Sequence, residues 1–412
     1  MFFRRVVSPR LESSSSRNKV RLLFGARQTG KTEMLRRLLT PGAGVYYDLG
    51  QTAERRRLEQ DPGALARELR ALPRGVTRVV IDEIQKVPAL LDEVQSLYDE
   101  RRTRLQFFLT GSSARRLRQG SANLLPGRSH LFHLSPVCRW EIDGPARVAW
   151  AGAELNGNGP LPKLRGFPEQ SLARTLLLGS LPGIRLESRT AAAATLSAYV
   201  ENYLEEEIRR EAVVRELGSF ATFLRLAAAE SGQQVNLAHL SRESGVPAMS
   251  LKNYYQVLED TFVGHWLRPY SRRGRKRLFA APRFLLFDTG VRNAAAGLSF
   301  DEHLLASEGP RLLEQWVGLE LVSRARYRGA GHRVSFWRTV SGAEVDFVWE
   351  SPREDVPVEV KWSTRPHPGD ARHVETFIDE SRGRSKRGLI VCRCERPQQI
   401  SDRVLAVPWD RF

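Results

Sequence analysis

The segment GARQTGKT at residues 25–32 restricts the fold of this chain more than any other part of its sequence. It follows an apolar stretch, KVRLLF, and precedes EMLRRLL, in which apolar residues recur at helical spacing. Strand, glycine-containing loop and helix in this order match the P-loop, whose backbone N–H groups bind phosphate oxygens. Lys31 would reach the β- and γ-phosphates and Thr32 would ligate Mg²⁺, so the sequence predicts ATP and Mg²⁺ as cofactors. The residues that we expect to contact them are Gly25, Gln28, Thr29, Gly30, Lys31 and Thr32.

Two further strands end in polar residues that suit the same site. The stretch VVIDE ends in Asp82 and Glu83, which we expect to hold the Mg²⁺ shell and to polarise the attacking water, respectively. The stretch LQFFLTGSS ends in Thr110 and Ser112, either of which could sense the γ-phosphate. The carboxyl ends of parallel strands meet at one edge of a sheet, and we therefore expect all four side chains beside the P-loop.

Hydrolysis also needs a positive charge at the transition state, which is often an arginine supplied by a neighbouring subunit. Only eight of the 64 basic residues are lysines, so composition cannot choose among the arginines. We favour Arg128 in LLPGR, ahead of Arg115 and Arg116. An arginine supplied in this way predicts a homo-oligomer, with a hexamer as one form.

The remaining composition limits the class of protein. The formal net charge of +17 favours a polyanionic partner, with nucleic acid before an anionic membrane surface. No apolar run is long enough to span a bilayer and the N-terminus lacks a secretory signal, so we expect a cytoplasmic protein without a membrane partner. The three cysteines fit neither a disulfide framework nor a zinc site, and we interpret them as core thiols.

Alternating strands and helices predict an α/β fold in several parts. The first part would be a P-loop parallel sheet with helices on both faces, the centre a helical, winged-helix-like region, and the last part a restriction-endonuclease-like α/β domain. The predicted segments are an ATPase domain at 1–150, a linker and helical region at 151–230, a helix-turn-helix-like segment with a basic stretch at 231–283, and a nuclease-like domain at 284–412.

The central region holds the candidate DNA-binding surface. Residues 235–245 and 250–261 resemble a helix-turn-helix, although an ordinary helical hairpin with an apolar core fits as well. Residues 268–283 then carry seven basic residues and no acidic ones, which favours phosphate contact. We predict binding of duplex or branched DNA. The residues expected to contact it are Lys252, Arg272, Arg273, Arg275, Lys276 and Arg277.

The succession GARQTGKT, VVIDEIQKVP, FFLTGSSARRL, LLPGR, GSLPG, YVENYLEEEI, LEDT, LFDTGVRN and SGAEVDF…VEVK covers nearly the whole chain. It resembles the prokaryotic AAA-type ATPases that carry a C-terminal region of the DUF4143 type. The resemblance implies a P-loop fold and ATP binding, and says less about the biological role. One position departs from the pattern, since AAA-type proteins often have Asn as the sensing residue where this chain offers Thr110 or Ser112.

A second acidic cluster lies near the C-terminus. Asp346 and Glu359 fall on consecutive predicted strands, and Lys361 shares a strand face with Glu359. Two carboxylates can bind a divalent cation, and a nearby lysine can position or deprotonate a water that attacks a phosphodiester. The pattern resembles the Asp…Glu-x-Lys motif of restriction-endonuclease-like nucleases, in which an upstream helix often adds a glutamate, here Glu314 or Glu320. A nuclease fold that binds without cutting, or an exposed hairpin with an ion pair, stays open.

Two functions follow from these patterns. The first is an ATP-hydrolysing DNA-processing protein, active in remodelling, repair or branched-DNA handling, with an Mg²⁺-dependent nuclease-like domain. The second is an ATP-gated regulatory or scaffold ATPase whose nuclease-like domain is not catalytic. The triplet Asp288-Thr289-Gly290 suggests an aspartic protease, but a single copy lacks the paired aspartates that this chemistry needs, and we interpret Thr289-Gly290 as a turn or helix start.

Overall fold

The apolar segments of the N-terminal region pair into a five-stranded parallel sheet. The computed structural model describes residues 3–13, 16, 18–39, 42–100, 104–113, 125–143, 165–203, 217–271 and 281–412. The strands are β1 (Val20–Phe24), β2 (Gly44–Asp48), β3 (Arg78–Asp82), β4 (Gln106–Gly111) and β5 (Ser129–His133). Their order is β2-β3-β4-β1-β5, so β4 lies between β1 and β3 and the carboxyl ends of all three meet at one edge.

Helices cover both faces of this sheet, as the alternation of strands and helices predicts. Their bounds are α1 (Ser8–Leu11), α2 (Lys31–Leu38), α3 (Thr52–Gln60), α4 (Gly63–Ala71) and α5 (Leu90–Glu100). Successive side chains of a strand point to opposite faces. Leu22 therefore packs in the hydrophobic cluster that includes α4 and α5, whereas Leu23 packs in the cluster that includes α1 and α2.

The central region is helical and ends in an antiparallel strand pair. Its helices are α6 (Leu172–Leu178), α7 (Arg189–Tyr203), α8 (Leu217–Ala229), α9 (Leu237–Ser244) and α10 (Ala248–Asp260). Asn236 caps α9 by accepting N–H groups from Ala238 and His239, and α9 ends at Gly245, whose φ is +69°. The strands β6 (Gly264–Pro269) and β7 (Arg283–Leu286) follow α10 as an antiparallel pair, which is the order of a winged helix.

The last part of the chain builds a mixed eight-stranded sheet in the order β12-β13-β11-β10-β9-β8-β6-β7. Its further strands are β8 (Arg333–Arg338), β9 (Glu344–Glu350), β10 (Asp355–Val360), β11 (Gly388–Cys392), β12 (Gln398–Ser401) and β13 (Val404–Pro408). The accompanying helices are α11 (Thr289–Ala295), α12 (Glu302–Arg328) and α13 (Arg372–Glu380). Strand β6 lies before the predicted boundary at residue 283, yet it belongs to the same sheet as the strands that follow this boundary. The predicted segment boundaries stay predictions.

Helix α12 is longer than its sequence pattern indicates. The apolar spacing predicts a helix over 310–326, whereas the structure has 27 helical residues from Glu302 to Arg328. Asp301 caps this helix by accepting the N–H groups of His303 and Leu304. Pro310 lies inside it, although proline usually marks a helix start. Within the described ranges, every helix is too short or too polar to cross a bilayer.

Candidate functional site

The P-loop joins the end of β1 to the start of α2. Two of its glycines are required by geometry. Gly30 caps α2 with φ at +92°, a left-handed conformation that favours glycine. A Cβ atom added at Gly25 would lie 2.3 Å from the carbonyl oxygen of Leu134, so no larger residue fits there. These glycines let the loop curl so that the N-terminus of α2 faces the candidate nucleotide site.

Lys31 is the first residue of α2 and is only 5% exposed. Its ammonium donates hydrogen bonds to the carbonyl oxygens of Gly25 and Ala26, at 2.8 and 2.9 Å. These contacts hold the positive charge inside the curl of the loop. The ammonium therefore lies where the sequence predicts that it meets phosphate oxygens.

Asp82 and Thr32 are in direct contact. The Thr32 hydroxyl donates to Asp82 Oδ2 at 2.7 Å, and the Tyr46 hydroxyl donates to the same oxygen at 2.5 Å. Thr110 donates to the other carboxylate oxygen and accepts the N–H of Glu83 at 2.9 Å. Burial and the bond to Asp82 raise the pKa of Tyr46. The hydroxyl and carboxylate oxygens of Thr32 and Asp82 are the hard donors that Mg²⁺ prefers, so this pair fits the predicted ion.

Glu83 is held separately from its neighbour. Its φ of +63° is uncommon for a residue other than glycine and turns the side chain away from the strand direction. Glu83 Oε2 accepts hydrogen bonds from the Gln85 amide and, at 3.3 Å, from the Ser112 hydroxyl. Gln85 also donates to Ser112 at 3.0 Å. Thr110 and Ser112 thus each support one of the two acids, while their role as γ-phosphate sensors stays a prediction.

The P-loop and the two acids of β3 border a cavity of about 740 Å³, within the range of small-molecule and cofactor sites. Part of its wall comes from residues for which the sequence predicts no role in the site. The lining residues beyond the predicted set are Arg27, Glu33, Asp48, Gly50, Lys86, Pro182, Gly183, Ile184, Glu187 and Thr195. Since the segment after Ser180 belongs to the central helical region, that region closes the candidate nucleotide site.

Arg5 links the P-loop to the rest of the molecule. This buried guanidinium donates to the carbonyl oxygens of Thr29 and Ser135, both at 2.6 Å, and to Glu141 Oε1 at 3.0 Å. Glu141 also accepts the backbone N–H of Val6 at 2.8 Å. The N-terminal arm therefore supports the loop from behind. Sequence reasoning missed Arg5, because nothing distinguishes it from the many other arginines.

Arg128 lies at the amino end of β5, where its carbonyl oxygen accepts the N–H of Val20. The P-loop leaves the opposite end of the parallel strand β1, so Arg128 is remote from the nucleotide site of its own chain. Its guanidinium pairs with Asp99 at 2.9 Å. Contact with a neighbouring subunit's nucleotide stays a prediction. Arg115 and Arg116 lie outside the described residues.

The residues of the second acidic cluster lie on two neighbouring strands and on helix α12. Asp346 on β9 and Glu359 on the antiparallel neighbour β10 approach each other, and Asp346 Oδ2 accepts the N–H of Val360 at 2.8 Å. The Lys361 ammonium lies 2.7 Å from Glu359 Oε1. Glu314 of α12 also belongs to this cluster, because the charge of Asp346 acts on its carboxylate. Glu320 does not join, because its carboxylate accepts the N–H of Arg139 at 2.9 and 3.0 Å.

Burial sets the electrostatics of this cluster. Desolvation and the nearby charge of Asp346 raise the pKa of Glu359 to about 8, and the same two causes raise the pKa of Glu314 to about 7. Burial also raises the pKa of Asp346. Glu359 is 7% exposed, and its Oε2 has no hydrogen-bond partner among the described residues. Oxygen donors concentrated in this way fit a divalent cation such as Mg²⁺.

The candidate DNA-binding residues are only partly described. Lys252 lies on the exposed side of α10, opposite the buried Leu251, Tyr254, Tyr255 and Leu258. The two predicted helices are confirmed as α9 and α10, and the buried face agrees with either a hairpin or a DNA-reading pair. Arg272, Arg273, Arg275, Lys276 and Arg277 lie outside the described residues, between β6 and β7.

Family models match three consecutive parts of the chain. Residues 17–142 match a family described as an AAA domain. The chain therefore contains an AAA domain. Residues 169–302 match a domain of unknown function (DUF8612), and residues 310–412 match a domain of unknown function (DUF4143). The predicted P-loop domain and DUF4143-type region are confirmed, and the AAA domain supports ATPase activity.

Two relatives are similar to this chain over nearly its whole length. The uncharacterized proteins Mb2031c of Mycobacterium bovis and Rv2008c of Mycobacterium tuberculosis are each 25% identical over 410 residues, which cover 99% of this chain and 84% of theirs. A solved chain titled "Structure of C. elegans PCH-2" is 15% identical, with 48% of this chain and 60% of that chain covered. Its TM-score is 0.24, and we draw no structural conclusion from it.

Proposed function

We propose that this chain is an ATP-hydrolysing, DNA-processing protein that assembles as a homo-oligomer. The observation that carries the proposal is the junction of the P-loop with the two acids of β3, in which Thr32 contacts Asp82 and Glu83 is held at their side. Such a junction suits phosphoryl transfer to water, because this chemistry depends on positioned charge.

Each residue of the candidate nucleotide site has one role in the proposed reaction. Mg²⁺, held by Thr32 and Asp82, would neutralise charge that develops on the β- and γ-phosphates. Lys31 binds the same phosphates once its ammonium turns from the loop carbonyls. Glu83 orients a water for attack, and its position is fixed by Gln85 and Ser112. Thr110 keeps Asp82 turned toward Thr32.

The proposal assigns phosphodiester chemistry to the C-terminal domain. Asp346 and Glu359 would hold Mg²⁺, and Lys361 would position or deprotonate the attacking water. Support comes from the convergence of these side chains on neighbouring strands and from the buried Oε2 of Glu359, which has no hydrogen-bond partner in the described part of the chain. Lys361 would exchange its bond to Glu359 for one to water as the cation binds.

DNA would be bound by the winged-helix-like region. Lys252 is exposed on α10, and the basic residues 272–277 fall between the two strands of the candidate wing. A net charge of +17 strengthens attraction to a polyanion over the whole surface.

ATP turnover of the purified protein tests the first half of this proposal. We expect hydrolysis that rises with duplex or branched DNA, measured beside samples with single-stranded DNA and with none. An ATP hydrolysis rate that is the same with each of the three DNAs as without DNA would contradict a role in DNA processing. Absence of any turnover would contradict the ATPase assignment itself.

Cleavage tests the second half. A labelled branched duplex with Mg²⁺ is expected to be cut by the wild type and left intact by Asp346→Asn, while Asp355→Asn serves as a matched control. Asp355 is also a buried carboxylate of the same sheet, but it bonds Tyr270 and Arg384 instead of the acidic cluster. Equal cutting by Asp346→Asn and the wild type would exclude the nuclease assignment.

A second candidate function is a regulatory or scaffold ATPase with a non-catalytic C-terminal domain. The ion pair of Lys361 with Glu359 and the pair of Arg283 with Glu314 favour it, because internal pairs of this kind can be purely structural. ATP-dependent assembly that is indifferent to DNA, measured by light scattering, would support this function over the first.

A further inference from the structure

A second large cavity, of about 700 Å³, lies away from the P-loop. It is bordered by β5 of the AAA domain, by α10 and β6 of the central region, and by α12 and β8 of the C-terminal domain. The cavity therefore touches all three parts of the chain that family models match. A ligand bound here would bridge them.

Arg326 of α12 supplies positive charge to this cavity. Its guanidinium lies against the ring of the buried His265, 3.2 and 2.9 Å from the two ring nitrogens. A neutral imidazole accepts only one hydrogen bond, so this ring cannot satisfy both nitrogens of the guanidinium. The charge of Glu259 acts on Arg326, but the two do not form an ion pair among the described residues. Burial lowers the pKa of Arg326 to about 10, which reflects a desolvated cation.

The sheet side of the cavity adds two more groups that can bind an anion. Arg268 of β6 and Ser335 of β8 are register partners on adjacent parallel strands, so their side chains lie on the same face. Ser335 is 3% exposed, and its hydroxyl has no hydrogen-bond partner among the described residues. A buried hydroxyl without a partner costs stability unless a ligand or water satisfies it.

The acids of the cavity do not cancel this charge. Glu350 pairs with Arg333 at 3.2 Å. Glu259 is hydrogen-bonded to Gln256, and its charge acts on both Arg268 and Arg326. One acid thus faces two arginines, which leaves net positive charge for an incoming anion.

The remaining walls are apolar and aromatic. Leu131, Trp266, Val322 and Val334 border the cavity, and Leu131 is 52% exposed, unusual for a large apolar side chain. A bare phosphate ion would leave this surface uncovered. The volume lies within the range of pockets that hold small organic ligands.

We propose that this cavity binds a small phosphomonoester with an aromatic or apolar body. Arg326 and Arg268 bind its phosphate, the Ser335 hydroxyl donates to it, and Trp266 and Leu131 contact its body. Two guanidinium groups suit a dianionic phosphate better than a single carboxylate. The site is independent of the nucleotide site, since it shares no lining residue with it.

Phenyl phosphate is the probe for this site, and ¹⁹F NMR of 5-fluorotryptophan-labelled protein is the readout. The Trp266 signal is assigned by its loss in Trp266→Phe. We expect this signal to shift on titration with phenyl phosphate, and to shift equally in Lys31→Ala, where the P-loop is disabled. Inorganic phosphate and benzoate are expected to bind more weakly, because each lacks one half of the proposed ligand.

Variants then identify the phosphate ligands. Arg326→Gln is expected to weaken binding by roughly tenfold or more, as loss of a charge-assisted contact requires. Arg268→Gln, at the exposed mouth, tests the same point should Arg326→Gln fail to fold. Arg372→Gln removes an exposed arginine outside the cavity and is expected to bind like the wild type. An unmoved Trp266 signal, benzoate binding as tightly as phenyl phosphate, or unchanged affinity in Arg268→Gln and in folded Arg326→Gln would each overturn the proposal.

Discussion

Asp82 and Glu83 are consecutive in the chain, yet their carboxylates are held by different partners and point to different tasks. Thr32, Tyr46 and Thr110 surround the first, whereas Gln85 and Ser112 surround the second. The left-handed backbone of Glu83 separates the two side chains. A single backbone turn thereby gives two neighbouring acids separate surroundings, which suits the metal-ligand and water-orienting roles proposed for them.

We predict that Lys31→Ala abolishes ATP binding, whereas Glu83→Gln binds ATP and loses hydrolysis by at least about a hundredfold. Lys31 binds ground-state phosphates, while Glu83 acts only on the attacking water. Equilibrium binding of a fluorescent ATP analogue and steady-state phosphate release separate the two effects. Turnover in Glu83→Gln equal to that of the wild type would show that another group activates the water.

His133 gives the molecule a pH-dependent stability. Burial, with the nearby charge of Arg326, lowers the pKa of His133 to about 3, well below the unfolded value of about 6.5. Between pH 3 and pH 6.5 His133 is therefore protonated in the unfolded chain and neutral in the folded chain. The contribution of neutral His133 to the free energy of unfolding is complete above pH 6.5 and is lost as the pH falls toward 3.

We expect His133→Gln to flatten the fall in stability between pH 6.5 and pH 4.5, measured by urea unfolding at several pH values. His130→Gln is the control, because His130 lies on the same strand and is less buried. An unchanged slope in His133→Gln would show that His133 does not carry this proton linkage.

At the scale of elements, the strands of the AAA sheet can be predicted from the sequence. The long-range contacts that support the P-loop cannot. Short apolar runs flanked by turns locate β1 to β5 within a residue or two, because parallel strands are buried on both faces. The acidic cluster was likewise predictable, since strand alternation fixes which face Glu359 and Lys361 share. Arg5 and the wall after Ser180 were not, because long-range contacts leave no local pattern.

The N-terminal arm is the element that holds the P-loop, and we predict that Arg5→Ala destabilises the protein by roughly 3–5 kcal/mol, because Glu141 would stay buried without its partner. The Michaelis constant for ATP is expected to rise as well, since the loop loses its contact at Thr29. Arg4→Ala is the matched control, as Arg4 pairs with the exposed Asp143. Thermal unfolding and ATP titration measure both effects; wild-type values in Arg5→Ala would contradict a supporting role.

At the scale of the whole molecule, helix α12 contacts both the acidic cluster and the segment that follows the AAA sheet. Glu314 belongs to the acidic cluster, whereas Glu320 accepts the N–H of Arg139, which follows the AAA sheet. Twenty-seven helical residues span about 40 Å. The helix therefore joins the acidic cluster to the AAA domain through direct side-chain contacts.

The proposed binding of DNA would engage the charge of the entire chain, and we predict that affinity falls steeply with salt as condensed counterions are released. Neutralising Arg272, Arg273, Arg275, Lys276 and Arg277 together with Lys252 is expected to flatten that dependence. Neutralising six exposed basic residues of the AAA domain serves as the charge-matched control. Fluorescence anisotropy at several salt concentrations measures the slopes, and equal slopes in the two variants would place the DNA footprint elsewhere.

Tyr327, near the end of α12, packs among Leu23, Leu35 and Phe132 under the AAA sheet, and its hydroxyl accepts the N–H of Ser135 at 3.1 Å. Tyr327 therefore forms part of the hydrophobic core of the AAA domain, although it lies nearly two hundred residues after Ser135 in the chain. Exchanging the C-terminal half for an unrelated one would open a void in that interior, at a cost of about 3–5 kcal/mol for a large aromatic ring. The two halves are therefore packed as a matched pair, and recombination that replaces one of them is expected to lower the stability of the product.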